Sequence, residues 1–108
     1  MKIGFIGCGK MASAIIGSLV SSKAAKSNEI CASDMDKGKL LSAAKKYKIT
    51  VVLHGNETVA NKSQVIILCV KPQAMHGVLE QLKPISKNEL KKKLFVSSTE
   101  KRKNMTTE

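Results

Sequence analysis

The residues whose types and spacing could do chemistry cluster near the amino terminus. Gly7-Cys8-Gly9-Lys10-Met11-Ala12 is a G-x-G-x-x-A element that follows the apolar run Lys2 to Ile6 and opens an amphipathic stretch. In that setting Gly7 lets the chain turn tightly, and Gly9 lets the backbone approach a pyrophosphate with no side chain intervening. Ala12 is small enough for the helix to pack close to the strand. The amides and positive dipole end of that helix would hold phosphates. A group that meets the adenosine ribose belongs about twenty residues further on, at the end of the next strand. Asp34 stands twenty-two residues past Ala12. Its charge favours a free 2′-hydroxyl, whereas Ser33, Lys37 and Lys39 beside it could donate to a 2′-phosphate, so NADH and NADPH both stay open.

Asn56 and Val70-Lys71-Pro72 are the other candidates. Both follow short apolar runs, at the carboxyl ends of strands where open sheets bind ligands. Each has an ordinary alternative of equal weight: Asn56 as a helix cap, Lys71 as a solvated lysine before a helix-starting proline. Cys8 lies near a helix N-terminus, which lowers a thiol pKa, but it reads better as an inert small filler. Cys31 and Cys69 fall within strands as core residues. His54 and His76 have no metal-spaced partners and read as surface or loop residues, and no Ser-His-Asp or Cys-His arrangement can be argued.

The elements that must position these residues alternate along the chain. Lys2 to Ile6 reads as a buried strand. From Met11 the period changes, and Ala12, Ile15, Ile16, Leu19 and Val20 make one helical face ending near Ser21. Glu29 to Ser33 is a second strand, and Asp36 can cap a helix whose Leu40, Ala43, Ala44 and Tyr47 share a face. Ile49 to Leu53 is β-branched and reads as a third strand. Asn56 looks like a cap on a brief helical turn through Ala60. Gln64 to Val70 is the most apolar run and reads as a strand covered on both faces, stopped by Pro72, which forces Lys71 into an extended conformation. Met75, Val78, Leu79 and Leu82 make a further helical stripe. Ser86-x-x-Glu89 is a capping box, and Leu94 to Val96 a fifth strand. This alternation predicts an α/β fold: a Rossmann-type, doubly wound parallel sheet in a single domain.

Bulk properties narrow the classes. With 108 residues there is room for one core, 43% hydrophobic and 25% charged residues are ordinary for a soluble globule, and no run is long and apolar enough to span a membrane. A secretory signal is argued against by Lys10 and by glycines at 4, 7 and 9. Three widely spaced cysteines favour a reducing, cytoplasmic setting over a disulfide framework. The net charge of +11 would attract polyanions. Arg102 is, however, the one arginine, and aromatics for base stacking are scarce, which argues against nucleic acid as a partner.

Lys2-Ile3-Gly4-Phe5-Ile6-Gly7-Cys8-Gly9-Lys10-Met11-Ala12, then Ala32-Ser33-Asp34, Asn56-Glu57-Thr58-Val59 and Val70-Lys71-Pro72-Gln73 together resemble the pyrroline-5-carboxylate reductase family. The V-K-P after the fourth strand is the most specific of these. The resemblance covers residues 1 to about 97, the family's N-terminal NAD(P)-binding domain. It implies NAD(P)H-dependent reduction of 1-pyrroline-5-carboxylate to L-proline, the last step of proline biosynthesis, with NADP slightly favoured over NAD. Carried over by position, it places Ile6, Gly7, Cys8, Gly9, Lys10 and Met11 in the pyrophosphate loop. Asp34 and Asn56 fall on the adenosine side, and Val70, Lys71 and Pro72 beside the nicotinamide ribose.

After Val96-Ser97 the sequence departs from that pattern, and residues 98–108 read as a basic, polar, disordered tail of a truncated product. The expectation is a chain that binds the dinucleotide with little or no turnover. It would take an imine substrate only with a C-terminal domain supplied, and it would lack the family's oligomer interface. Two alternatives stand beside this reading: a non-catalytic nucleotide-binding module, and a nucleic-acid or membrane-surface binder acting through the basic end.

Overall fold

A computed structural model describes residues 1–96. The tail expected from residue 98, and Ser97 at the end of the expected domain, lie outside the described residues. Among the described residues, five parallel strands form one sheet in the order β3-β2-β1-β4-β5, with β1 at Ile3–Ile6, β2 at Ile30–Asp34, β3 at Thr50–Leu53, β4 at Val65–Leu68 and β5 at Leu94–Val96. The α-helices between them are α1 (Lys10–Ser21), α2 (Lys37–Tyr47), α3 (Asn56–Lys62), α4 (Pro72–Gln81) and α5 (Lys87–Lys93). A 3₁₀ turn, Ser27–Glu29, leads into β2. The doubly wound α/β architecture expected from the alternation is the one observed.

β1 is central because its residues suit burial on both faces. Phe5 and Ile6 are fully buried and point to opposite sides, as the two-residue period of a strand requires. Phe5 packs with Ala12 and Ile16 of α1 and Leu40 and Ala43 of α2. Ile6 packs with Val59 and Ala60 of α3 and Met75, Val78 and Leu82 from α4 and its end. Helices α1 and α2 therefore cover one face, and α3 and α4, with Leu90 of α5, the other. The register pairs Ile3 with both Ile30 and Val65, so the strands flanking β1 start level with it, and β2 runs one residue past it to Asp34. The chain winds outward to β3 on one side of β1 and to β5 on the other, which places the switch in winding direction at the carboxyl ends of β1 and β4.

Several boundaries differ from the sequence reading for physical reasons. The apolar run Gln64 to Val70 is strand only over Val65–Leu68. β1 stops at Ile6, and one further bond, from Cys69 N to Ile6 O at 2.8 Å, ends the pairing. Cys69 therefore lies just past the strand rather than within it. The brief turn expected through Ala60 is a helix to Lys62, held by the burial of Val59 and Ala60. Leu79, placed on the buried stripe of α4, is exposed. The second strand starts at Ile30, one residue later than expected, because Glu29 belongs to the 3₁₀ turn, and it ends at Asp34.

Candidate functional site

The two glycines of the loop after β1 serve different ends. Gly7 has φ +96°, in the region where L side chains are strained, and a Cβ there would strike the Cys69 carbonyl. Its amide donates to Ser33 O at 2.8 Å, and the Cys8 amide donates to Asp34 Oδ2 at 2.7 Å. These bonds pin the turn to the end of β2. Gly9 has φ −82°, which any residue adopts, and a Cβ there would meet nothing within 4 Å. Gly7 is thus required by the fold, while Gly9 is not. The bare backbone at Gly9 leaves room for something outside the protein to lie against it.

Helix α1 starts at that point, with Gly9 as its N-cap and no side-chain capping bond or acidic residue in its first turn. The contrast with two other helices is direct. Asp36 caps α2 by accepting from Lys39 N at 3.2 Å, and Ser86 caps α5 by accepting from Glu89 N at 3.2 Å. No side chain caps the first-turn amides of α1; the Asp34 carboxylate reaches only the Cys8 amide before them, which leaves those amides available to a phosphate.

A cleft of about 640 Å³ opens over this loop. Gly7, Gly9, Lys10 and Met11 form one wall, Val70, Lys71 and Pro72 the other, and Asp34, Lys39 and Cys69 complete the lining. Lys71 is extended (φ −66°, ψ 150°), and Pro72 begins α4 at its first turn, as the sequence suggested. Lys10, Lys39 and Lys71 make no ion pair among the described residues, so the lining, with Asp34 as its carboxylate, carries a net positive charge. A smaller cleft of about 350 Å³ lies on the α3–α4 side, and Ile6, Gly7, Asp34, Asn56 and Val70 contribute to it.

Three of the expected site residues line neither cleft. Ala12 is fully buried beneath α1 and acts through packing. Ser33 is also fully buried, and its hydroxyl donates to Asn56 Oδ1 at 2.6 Å. Cys8 is buried, and burial above all, with the Asp34 carboxylate next, pushes its thiol up to about 11. The helix-dipole activation considered for Cys8 is therefore overridden, and the filler reading holds.

Asn56 is not a cap. Gly55 holds that position, and the Asn56 amide spans from Ser33 to Gln81, donating from Nδ2 to Gln81 Oε1 at 2.6 Å. Asp34 has each carboxylate oxygen engaged by a backbone amide, Cys8 N on Oδ2 and Asp36 N on Oδ1 at 2.8 Å. Sequence reasoning missed Gln73, Gly77 and Gln81, which line the smaller cleft. Their i, i+4, i+8 spacing along α4 was the available signal, obscured by the apolar stripe on the neighbouring face.

The family model described as "NADP oxidoreductase coenzyme F420-dependent" matches residues 2–101. A pyrroline-5-carboxylate reductase from Pseudomonas aeruginosa is 39% identical over 88 residues, covering 82% of this chain and 32% of that protein. ComE operon protein 4 from Bacillus subtilis is 32% identical over 84 residues, covering 78% of this chain and 31% of the relative. Among solved structures, a pyrroline-5-carboxylate reductase from Coxiella burnetii superposes with a TM-score of 0.79 at 30% identity, covering 88% of this chain and 34% of that one. A Plasmodium falciparum pyrroline carboxylate reductase with NADP bound superposes with a TM-score of 0.69 at 26% identity, covering 89% of this chain and 32% of that one. The chain thus spans about a third of the length of the relatives it matches.

Proposed function

The chain belongs to the family of NADP oxidoreductases described as coenzyme F420-dependent, and on that premise we propose that residues 1–96 form the dinucleotide-binding part of a reductase that acts on a cyclic imine, 1-pyrroline-5-carboxylate. The observation that carries the reading is Gly9. It is a glycine the fold does not need, at a helix start with no side-chain cap, beside a cleft whose lysines outnumber its carboxylate. The residues fit a dinucleotide: backbone around Gly9 and Lys10 for the pyrophosphate, Asp34 and Lys39 for the adenosine ribose, and Val70, Lys71 and Pro72 for the nicotinamide ribose. When bound, the nicotinamide supplies a hydride to an electrophilic carbon.

The phosphorylated cofactor, NADPH, is the better fit. Both oxygens of Asp34 already accept backbone hydrogen bonds, so its charge is partly answered before a ribose arrives. Lys10 and Lys39 border the same space and form no ion pair among the described residues. A 2′-phosphate would convert that imbalance into charge-assisted hydrogen bonds. These residues supply binding and orientation.

Thermal unfolding with and without cofactor tests the reading. Free NADPH at about 100 times its Kd should stabilise the native state by about 2.7 kcal/mol and raise Tm visibly. An unchanged Tm at millimolar NADPH and at millimolar NADH in a folded chain would reject it.

A further inference from the structure

We infer that the β3 edge of the sheet is a docking surface for an extended, acidic segment of a partner protein, which adds to the sheet as a further strand. β3 pairs with β2 alone and stands at one end of the strand order. His54 N donates to Asp34 O at 3.1 Å, which fixes the phase of that pairing. Backbone groups of alternate residues face the neighbouring strand, so the N–H and C=O groups of Val51 and Leu53 point away from β2. Thr50–Leu53 holds neither the lysine nor the proline that closes many edges to another strand. Its Thr-Val-Val run instead suits extended pairing. None of Lys45, Lys48, Val51 and Leu53 lines either cleft described above, so this surface stands apart from the dinucleotide site.

The flank of α2 above this edge supplies the rest of the surface. Gly38, Lys39, Ser42 and Lys46 border a groove toward α1, while Leu40 and Ala43 are buried. Helical spacing turns Lys37, Leu41 and Ala44 to the remaining side, over β3. Val51 packs into the same core as α2, and Leu53, two residues on, shares its face of the sheet. Leu41 is 55% exposed and Leu53 45%, so apolar surface lies beside the open backbone groups. Charge selects the occupant. Residues 37–55 hold five lysines and no acidic residue, and Asp36 before them is engaged in capping α2. Two copies of this chain joined through the edge would set Lys45 and Lys48 against their counterparts. An acidic strand would meet the same lysines with opposite charge. Backbone pairing would hold such a strand, and its alternate side chains would rest on the Leu41 and Leu53 rim. Nucleic acid is the poorer occupant, because the segment has no arginine and its tyrosine, Tyr47, is turned to Ser13 of α1.

The probe is a fluorescein-labelled hexapeptide alternating glutamate and valine, read by anisotropy against the full chain with and without NADPH. A hexapeptide alternating lysine and valine and a mixed-sequence DNA duplex serve as comparisons. The acidic peptide should bind saturably, the basic one should not, and NADPH should not displace it. Leu53→Pro removes an outward N–H and no bond to β2, so the chain should stay folded and bind the peptide about ten-fold more weakly. Lys45→Glu/Lys48→Glu should weaken it about five-fold at low salt. Lys87→Glu/Lys91→Glu changes net charge equally on α5, which leads into β5 at the opposite edge, and should cost less than about two-fold. Should Leu53→Pro unfold, Leu41→Asp takes its place, since it removes the apolar rim at an exposed helix position, and about the same ten-fold loss is expected. No saturable binding at millimolar peptide, equal loss in the two charge-reversed pairs, or unchanged affinity in folded Leu53→Pro or Leu41→Asp would each overturn the docking surface. Displacement by NADPH would overturn it by moving the peptide to the cofactor cleft. A duplex that displaces the peptide and binds more tightly would overturn it in favour of a face for nucleic acid.

Discussion

Gly7 and Gly9 stand two residues apart in one loop, and substitution should separate them cleanly. Alanine at Gly7 must adopt φ +96° and drive its Cβ into the Cys69 carbonyl and the Val70 side chain. Left-handed backbone costs an L residue about 1–2 kcal/mol, and overpacking adds about 1–3. The sum, about 2–5 kcal/mol, corresponds to a Tm drop of at least about 10 °C for a domain of this size. Aspartate at Gly9 meets no atom within 4 Å and occupies an N-cap, where it outranks glycine by a few tenths of a kcal/mol. Gly9→Asp should therefore melt within about 2 °C of wild type or slightly above it. Its carboxylate would nonetheless stand where a pyrophosphate belongs. Two like charges about 4 Å apart repel by about 4 kcal/mol at a surface-like dielectric, a loss of about 1,000-fold before salt screening and at least about 100-fold after it. Circular-dichroism melts and NADPH fluorescence titrations read the two quantities on the same samples. A Gly9→Asp protein that binds NADPH like wild type, or a Gly7→Ala protein as stable as wild type, would refute the division of roles.

Other consequences are open to measurement. Gly4→Ala would push a Cβ into Ser63 and Val59 and should destabilise by about 1–3 kcal/mol in urea unfolding, with no direct effect on the cleft. Because burial raises the Cys8 thiol from its ordinary value of 9.0 to about 11, the stability it contributes is fully present below pH 9 and lost as pH rises toward 11. The unfolding free energy of wild type relative to Cys8→Ala should be flat below pH 9 and then fall, and Cys8 should resist alkylation at pH 7.5 in the folded chain. Lys39→Gln should weaken NADPH about five-fold and NADH less than two-fold in parallel titrations, whereas equal loss for both would remove Lys39 from 2′-phosphate recognition.

The fold was legible because its signals are local and repeated. Continuous apolar strands, i, i+3, i+4 stripes, and caps at Asp36 and Ser86 each announced an element on its own terms. The G-x-G-x-x-A loop was equally plain, since its glycines have few other reasons to stand between strand and helix. The division of labour between Gly7 and Gly9 was hidden, because it depends on where Cys69 passes in space. The bond from Asn56 to Gln81 joins residues twenty-five apart, and its partner looks in the sequence like any solvent-facing helix position. Cys8 shows two local rules in competition, and only the three-dimensional burial decides between them.

The most direct test of the cofactor site is NADPH titration of the ¹⁵N-labelled chain followed by amide chemical shifts. The expected result is saturable change at Gly7 to Lys10, at Asp34, and at Val70 and Lys71, with the far end of the sheet unmoved. Absence of change at millimolar NADPH, or small shifts scattered over surface lysines and abolished by salt, would contradict it.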